Sequence, residues 1–260
     1  MKDDFATRVG KAGRDSLFAQ VTQRLAVAIV SGALPAGALV PNEEDLRAEI
    51  SASRTAYREA VRFLAGKGLI EARPRRGTRV APRDVWHLLD PDVLRWSLAS
   101  AADENFIRDL FELRALVEPG CAKIAALRRT SGQLARIEAA LEGMIETPPY
   151  TEAAMRHDLA FHDALFEASG NAAIAALKDV VATTLLWSLR MQRMQPIEHF
   201  VVPLSDHRRL AEAIRRQDGE TAEQLSRILV ADALRATLAA FRRAGAPGRA
   251  RAESREFAAE

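Results

Sequence analysis

Residues 41–80 read PNEEDLRAEISASRTAYREAVRFLAGKGLIEARPRRGTRV, and this stretch decides the fold. It parses as helix, turn, helix and a two-stranded wing. A short, acidic-fronted helix spans Glu43 to Glu49. A second opens near Ser51, with Ser53 as the other candidate for the hydroxyl that caps its free N–H groups. Along it Tyr57, Ala60, Val61 and Leu64 recur at steps of three and four, one apolar stripe to lay on a small core. The opposite face carries Arg54, Thr55, Arg58 and Arg62. In a helix-turn-helix the early turns of the second helix meet base edges while the first helix crosses the backbone.

Beyond that helix the period changes. GLIEA and TRVA have strand length, and Pro74-Arg75-Arg76-Gly77 between them has turn chemistry with two positive charges at its tip. Residues 51–83 hold nine Lys/Arg against two Asp/Glu, in a chain whose net charge is only +2. The basic charge is therefore localised, as nucleic-acid binding requires. A charge run alone would be an ordinary solvated face; joined to the helix, turn, helix and wing it reads as a DNA-binding surface.

The segment SASRTAYREAVRFLAGKGLIEARPRRGTRVAPR resembles the N-terminal domain of GntR-family bacterial transcription regulators, over about Leu17 to Arg83. The resemblance implies that Arg54, Thr55 and Arg58 contact the operator and that Arg75, Arg76 and Gly77 at the wing tip reach the minor groove. Where the family often carries a DNA-contacting arginine on the first reading helix, this chain has Glu44.

Around this unit, 260 residues leave room for two domains, and 48% apolar content fits a globular protein. No apolar run is expected to reach the roughly 18–20 residues of a membrane span, and the start MKDDFATRVG does not read as a signal peptide. One cysteine, Cys121, excludes an internal disulfide and suits the reducing cytoplasm; its alanine-rich surroundings predict buried packing.

Residues 1–15 read as a flexible arm, and a helix follows from Leu17 to Ser31, closed by Gly32. Residues 1–83 carry a net charge of +6 and the remainder −4. The sign change sets the expected division: a winged helix-turn-helix domain over 16–83, a linker over 84–90, a helical effector-binding domain over 91–244 and a disordered tail over 245–260. The second domain shows no period-2 strand. Helices are expected near 91–100, 103–129, 132–146, 151–169, 172–194, 203–217 and 219–244, an all-helical antiparallel bundle in a mainly α protein. Pro119 should kink its helix unless the missing N–H is compensated locally.

Chemistry-bearing residues in the bundle are few. Asp158 and His162, at i and i+4, share a helix face; His207 lies on a later helix; Arg114 and Glu118 form another i,i+4 pair. A carboxylate and two imidazoles can bind a divalent cation such as Zn²⁺, Mn²⁺ or Ni²⁺, or form a satisfied structural cluster. His157 points about 100° away from Asp158 and reads as surface.

ELRALVEPGCAKIAA, DLAFHDALFEASGN and HRRLAEAIRRQDGETA resemble the FCD effector domain of the FadR-type branch of the same family. That resemblance implies a metal held by one Asp and three His, which in turn holds a carboxylate effector. Asp158, His162 and His207 match three ligands; the fourth position is Leu229, which cannot ligate. Either water and effector oxygens complete the metal shell, or the polar groups meet the effector directly. Arg114 matches a pocket arginine whose planar fork suits a carboxylate.

APRDVWHLLDPDVLRW and WSLR resemble the sugar-acid branch typified by galactonate-operon repressors. They imply an aldonate or related sugar acid as effector, with Trp187 and Ser188 near it. Hydroxy, amino or fatty acids are the alternatives. The expectation is a homodimeric, ligand-responsive regulator on double-stranded operator DNA. An enzyme on the Asp/His cluster lacks an adjacent general base, a nucleophile constellation and a nucleotide motif. A sequence-blind architectural DNA binder would leave the net-acidic helical domain without a purpose.

Overall fold

A computed structural model describes residues 17–50, 53–73, 77–149, 151–194 and 204–245, which fall into two compact units dividing between Ala102 and Asp103. The arm, Ser51, the wing-tip arginines Arg75 and Arg76, His199 and the tail beyond 245 lie outside the described residues.

In the first unit α1 (Leu17–Val30), α2 (Glu43–Ile50) and α3 (Arg54–Gly66) precede the antiparallel hairpin β1 (Ile70–Arg73) and β2 (Gly77–Val80). Asn42 starts α2 by accepting the N–H groups of Glu44 and Asp45, while Asp45 accepts that of Asn42 in return. Ser53, not Ser51, opens α3: its Oγ accepts the N–H of Ala56 at 3.2 Å. The stripe on α3 packs with Val21, Leu25 and Ile29 of α1, and with Leu69, Ile70 and Val80 of the hairpin. The hairpin is anchored to the segment before α2, since Leu39 bridges Arg79 and the N–H of Val40 donates to the Thr78 carbonyl at 2.9 Å. Gly68 has φ of +75°, and an added Cβ would lie 2.4 Å from the Val85 carbonyl oxygen, so this turn accepts only glycine.

The expected linker over 84–90 is instead packed structure. A 3₁₀ turn at Arg83–Val85 leads to Trp86, whose Nε1 donates to the Ala81 carbonyl at 3.0 Å. Trp86 and Leu88 lie against the core of the first unit. The next helix, α4 (Pro91–Ser100), belongs to the same unit. Its Val93 and Trp96 join that core, and Trp96 Nε1 donates to Gln23 Oε1 at 2.8 Å. Lys67 is almost buried and holds both Asp90 and Asp92 at 2.7 Å. The boundary expected at 90/91 thus moves to 102/103, because apolar contacts outweigh the change in charge sign.

The second unit is an all-helical bundle of α5 (Glu104–Arg128), α6 (Ser131–Glu146), α7 (Glu152–Ala168), the single turn α8 (Ala172–Ala175), α9 (Lys178–Arg193), α10 (Leu204–Arg215) and α11 (Gly219–Ala244). Its helices start at side-chain caps where the sequence offers them: Asp103, Thr130, Thr151 and Asp218. Helix α5 runs unbroken through Pro119. Helices α5 and α11 pack antiparallel, tied at their ends by Arg242 to Glu104 and by Lys123 to Glu220 and Glu223. His157 is half-buried rather than on the surface. Its ring lies over Gly143 of α6, where an added Cβ would sit 2.2 Å from Nδ1.

The stretch Ala172–Arg193 is, contrary to expectation, long and apolar enough to cross a membrane by length and composition. In this fold α9 packs on α7 and α11. It also buries Thr184, Ser188 and Gln192, the last donating to Ser188 Oγ at 3.0 Å and to Thr237 Oγ1 at 3.2 Å. These are the marks of a bundle helix.

Candidate functional site

In the first unit the sequence-derived contacts split in two groups. Arg54, Thr55 and Arg58 lie exposed on the opening turns of α3, opposite the stripe that faces the core. Arg54 approaches Glu43 of α2 at 4.0 Å, with its own side chain 80% exposed. The Tyr57 hydroxyl donates to the Pro41 carbonyl at 2.9 Å and so ties α3 to the entry of α2. Gly77 is exposed at the start of β2.

In the second unit three helices bring five polar side chains into the interior. Arg114 and Glu118 come from α5, Asp158 and His162 from α7, His207 from α10, and all five are buried. Arg114 Nε donates to Glu118 Oε1 at 2.5 Å, and its guanidinium stacks 4.7 Å from the Phe111 ring. The second Glu118 oxygen lies 3.1 Å from His162 Nδ1. His207 Nε2 lies 3.1 Å from Asp158 Oδ1, and the two imidazoles cross edge-on with centroids 5.9 Å apart. Phe161 closes the wall, its ring 5.1 Å from that of His207.

Electrostatics explains why two carboxylates survive burial here. Burial pushes the Glu118 carboxyl up, but Arg114 and His162 outweigh it and hold the group at about 2. For Asp158 burial again acts upward and His207, His162 and Arg114 together act downward, leaving it below the usual carboxylate value. Arg114 Nη1 is a buried donor with no acceptor among the described residues. A buried cationic N–H left without an acceptor is costly, and an anionic oxygen is the kind of group it can take.

One donor atom each from Asp158, His162 and His207 lies within 4.8 Å of the others, a spacing that fits one divalent ion. Glu118 on Nδ1 of His162 leaves Nε2 for ligation, the carboxylate–histidine arrangement of metal sites. Leu229 packs in the apolar core with Phe161 and Leu210 and supplies nothing. A three-ligand shell with open positions fits these residues. Glu118 is the member the sequence reading left outside the site; its i,i+4 spacing to Arg114 was the available signal. Trp187 is buried on α9 and, among the described contacts, does not join the cluster, while Ser188 lies 2.5 Å from Thr237 on α11. Cys121 is buried near the Leu165 carbonyl; burial and Glu118 push its thiol up to about 12, so it is inert packing.

Comparison with known proteins agrees with this two-part architecture. Residues 17–80 match the bacterial regulatory proteins of the gntR family, and residues 109–232 match the FCD domain. The galactonate operon transcriptional repressor of Escherichia coli K12 is 37% identical over 207 residues, covering 80% of this chain and 90% of that protein. The chain belongs to the GntR family.

This GntR regulator is also 32% identical over 165 residues to the HTH-type transcriptional regulator LutR of Bacillus subtilis, covering 64% of this chain and 74% of LutR. Among solved structures, Lar, which controls expression of the Listeria monocytogenes agr system, superposes with a TM-score of 0.63 at 16% identity. That match covers 86% of this chain and 98% of Lar, and it speaks for the fold alone. The GntR regulator is a DNA-binding transcription factor and not an enzyme.

Proposed function

We propose that this GntR regulator represses a sugar-acid catabolic operon and that a carboxylate effector, bound in the helical unit, lowers its operator affinity. The observation that carries the reading is Arg114 Nη1, a buried cationic donor without an acceptor, set beside Asp158, His162 and His207. Arg54, Thr55 and Arg58, with Arg75, Arg76 and Gly77 of the wing, are the proposed operator contacts. The protein acts as a homodimer, each copy reading one half-site.

Charge balance favours a metal. With both imidazoles neutral, as ligation demands, Arg114 offsets only one of Glu118 and Asp158. A carboxylate effector would add a second uncompensated negative charge to a buried site, at high cost. A divalent ion on Asp158, His162 and His207 brings the sum with effector to zero. Zn²⁺, Mn²⁺ or Ni²⁺ suits the one-oxygen, two-nitrogen donor set and, when bound, supplies Lewis acidity toward the effector's oxygens. Arg114 then orients the carboxylate. The sugar-acid class rests on the likeness to the galactonate operon repressor.

The test is a thermal-shift panel of sugar acids, galactonate first, with and without EDTA, paired with operator-binding titrations. An effector at about 100 times its Kd adds about 2.7 kcal/mol of apparent stability. EDTA abolishes that shift if the metal bridges, and leaves it if Arg114 leads recognition alone. An effector that saturates the protein without lowering operator affinity overturns the proposed mechanism.

A further inference from the structure

Helix α9 belongs to a stretch of unusual apolarity, yet three of the side chains it buries are polar. Thr184, Ser188 and Gln192 recur at steps of four and so form one stripe. Ser188 on this stripe meets α11 at Thr237, which is itself fully buried.

The protons of this cluster are all assigned. The Thr237 hydroxyl donates to the Ala233 carbonyl at 2.6 Å, so in the 2.5 Å contact between Ser188 and Thr237 the donor is Ser188. Gln192 Nε2 donates to Ser188 Oγ at 3.0 Å and to Thr237 Oγ1 at 3.2 Å. Thr237 has then given its one proton and accepted two, and is saturated. Ser188 Oγ keeps one acceptor site. With Nε2 turned to the two hydroxyls, Gln192 Oε1 is turned away from them, and among the described residues no donor reaches it. Gln192 is only 7% exposed. A buried amide oxygen without a donor is costly, and the group it takes is an O–H or N–H, not another anion.

The cluster continues the interior that holds Arg114. Val181 of α9 packs with Cys121 of α5. Thr237, the partner of Ser188, lies little more than one turn before Arg242, which reaches Glu104 at the start of α5. Between Val181 and Ser188, α9 therefore passes the levels of Glu118 and Arg114. Thr184 comes at about their height, and Ser188 and Gln192 follow at rises of about 6 and 12 Å.

We propose that Gln192 Oε1, with Ser188 Oγ beside it, is the hydroxyl-reading end of the effector site. It accepts from the O–H groups of a polyhydroxylated chain whose carboxylate lies at Arg114. A fatty acid of equal length would leave both acceptors without donors, which a site of this kind rejects. The assignment rests on the sugar-acid reading above and names the residues that select it over its alternatives.

The test is calorimetric titration of the full chain, with Zn²⁺ supplied, using galactonate and hexanoate as probes. Wild type is compared with Gln192→Met and Ser188→Ala, and thermal melts followed by circular dichroism control for folding. Wild type is expected to prefer galactonate. Gln192→Met weakens galactonate by about 10–100-fold and leaves hexanoate at its wild-type level. Ser188→Ala, the smaller change, weakens galactonate by about 3–10-fold and decides the matter should Gln192→Met fail to fold. A wild-type protein that binds neither probe, or both alike, overturns the sugar-acid reading itself. A wild-type preference that the folded variants keep, or lose through equal weakening of both probes, overturns only the assignment to Gln192 and Ser188.

Discussion

Glu118 on α5 spans two functions through its two oxygens, accepting Arg114 Nε at 2.5 Å on one and meeting His162 Nδ1 at 3.1 Å on the other. The carboxylate therefore sets both the direction of the free guanidinium edge and the nitrogen that His162 presents. Glu118→Gln keeps the shape but breaks the buried ion pair with Arg114, whose charge is then offset only by the more distant Asp158. It should cost about 3–5 kcal/mol in urea unfolding and weaken metal binding by about 10–100-fold. Unchanged metal affinity in a folded variant would reduce Glu118 to a structural role.

A second ionic cluster ties α4 to the first unit. Lys67→Met leaves Asp90 and Asp92 facing each other and should destabilise by about 1.5–3 kcal/mol, as for lost hydrogen bonds between charged groups. Burial pushes the Asp92 carboxyl up, but Lys67 and Arg95 pull it below its ordinary value of 3.8. A depressed folded value means the stabilisation is complete above that ordinary value and is lost as pH falls through the folded one. Unfolding of the wild type should therefore become easier on acidification below about pH 4, and Lys67→Met should lose that part of the pH dependence.

Gly68→Ala tests the turn between α3 and β1. A positive φ combined with an oxygen 2.4 Å from the new Cβ should cost about 2 kcal/mol or more. Gly66→Ala, two residues earlier with open space around the new Cβ, is the control and should be neutral. Equal melting temperatures for the two variants would contradict the geometry.

Arg58→Ala should cost about 1–3 kcal/mol of operator binding and relax specificity, the signature of a lost base contact. Comparison of operator with random DNA at fixed salt decides the matter. Equal loss on both would make Arg58 a phosphate contact.

Local order made much of this protein legible from its residues. The helix-turn-helix with its wing is written in periodicity and turn chemistry, and the bundle in periods of three and four broken at Thr147-Pro148-Pro149 and Ser169-Gly170-Asn171. Asp158 and His162 were readable as a pair because one helix sets their spacing. The domain boundary was not. Charge sign changes at Arg83, yet Trp86, Leu88, Val93 and Trp96 bury themselves against α1 and the hairpin, and apolar burial decides where a compact unit ends.

What the sequence determined alone was whatever depends on neighbours along the chain: the elements, their caps and the arginine-bearing face of α3. Tertiary structure decided what depends on neighbours in space. The packing of α5, α7 and α10 put Glu118 against His162 and His207 against Asp158, left Arg114 Nη1 without an acceptor, and turned Leu116 outward. Periodicity tells which residues share a helix face, but only helix packing chooses which face is inside.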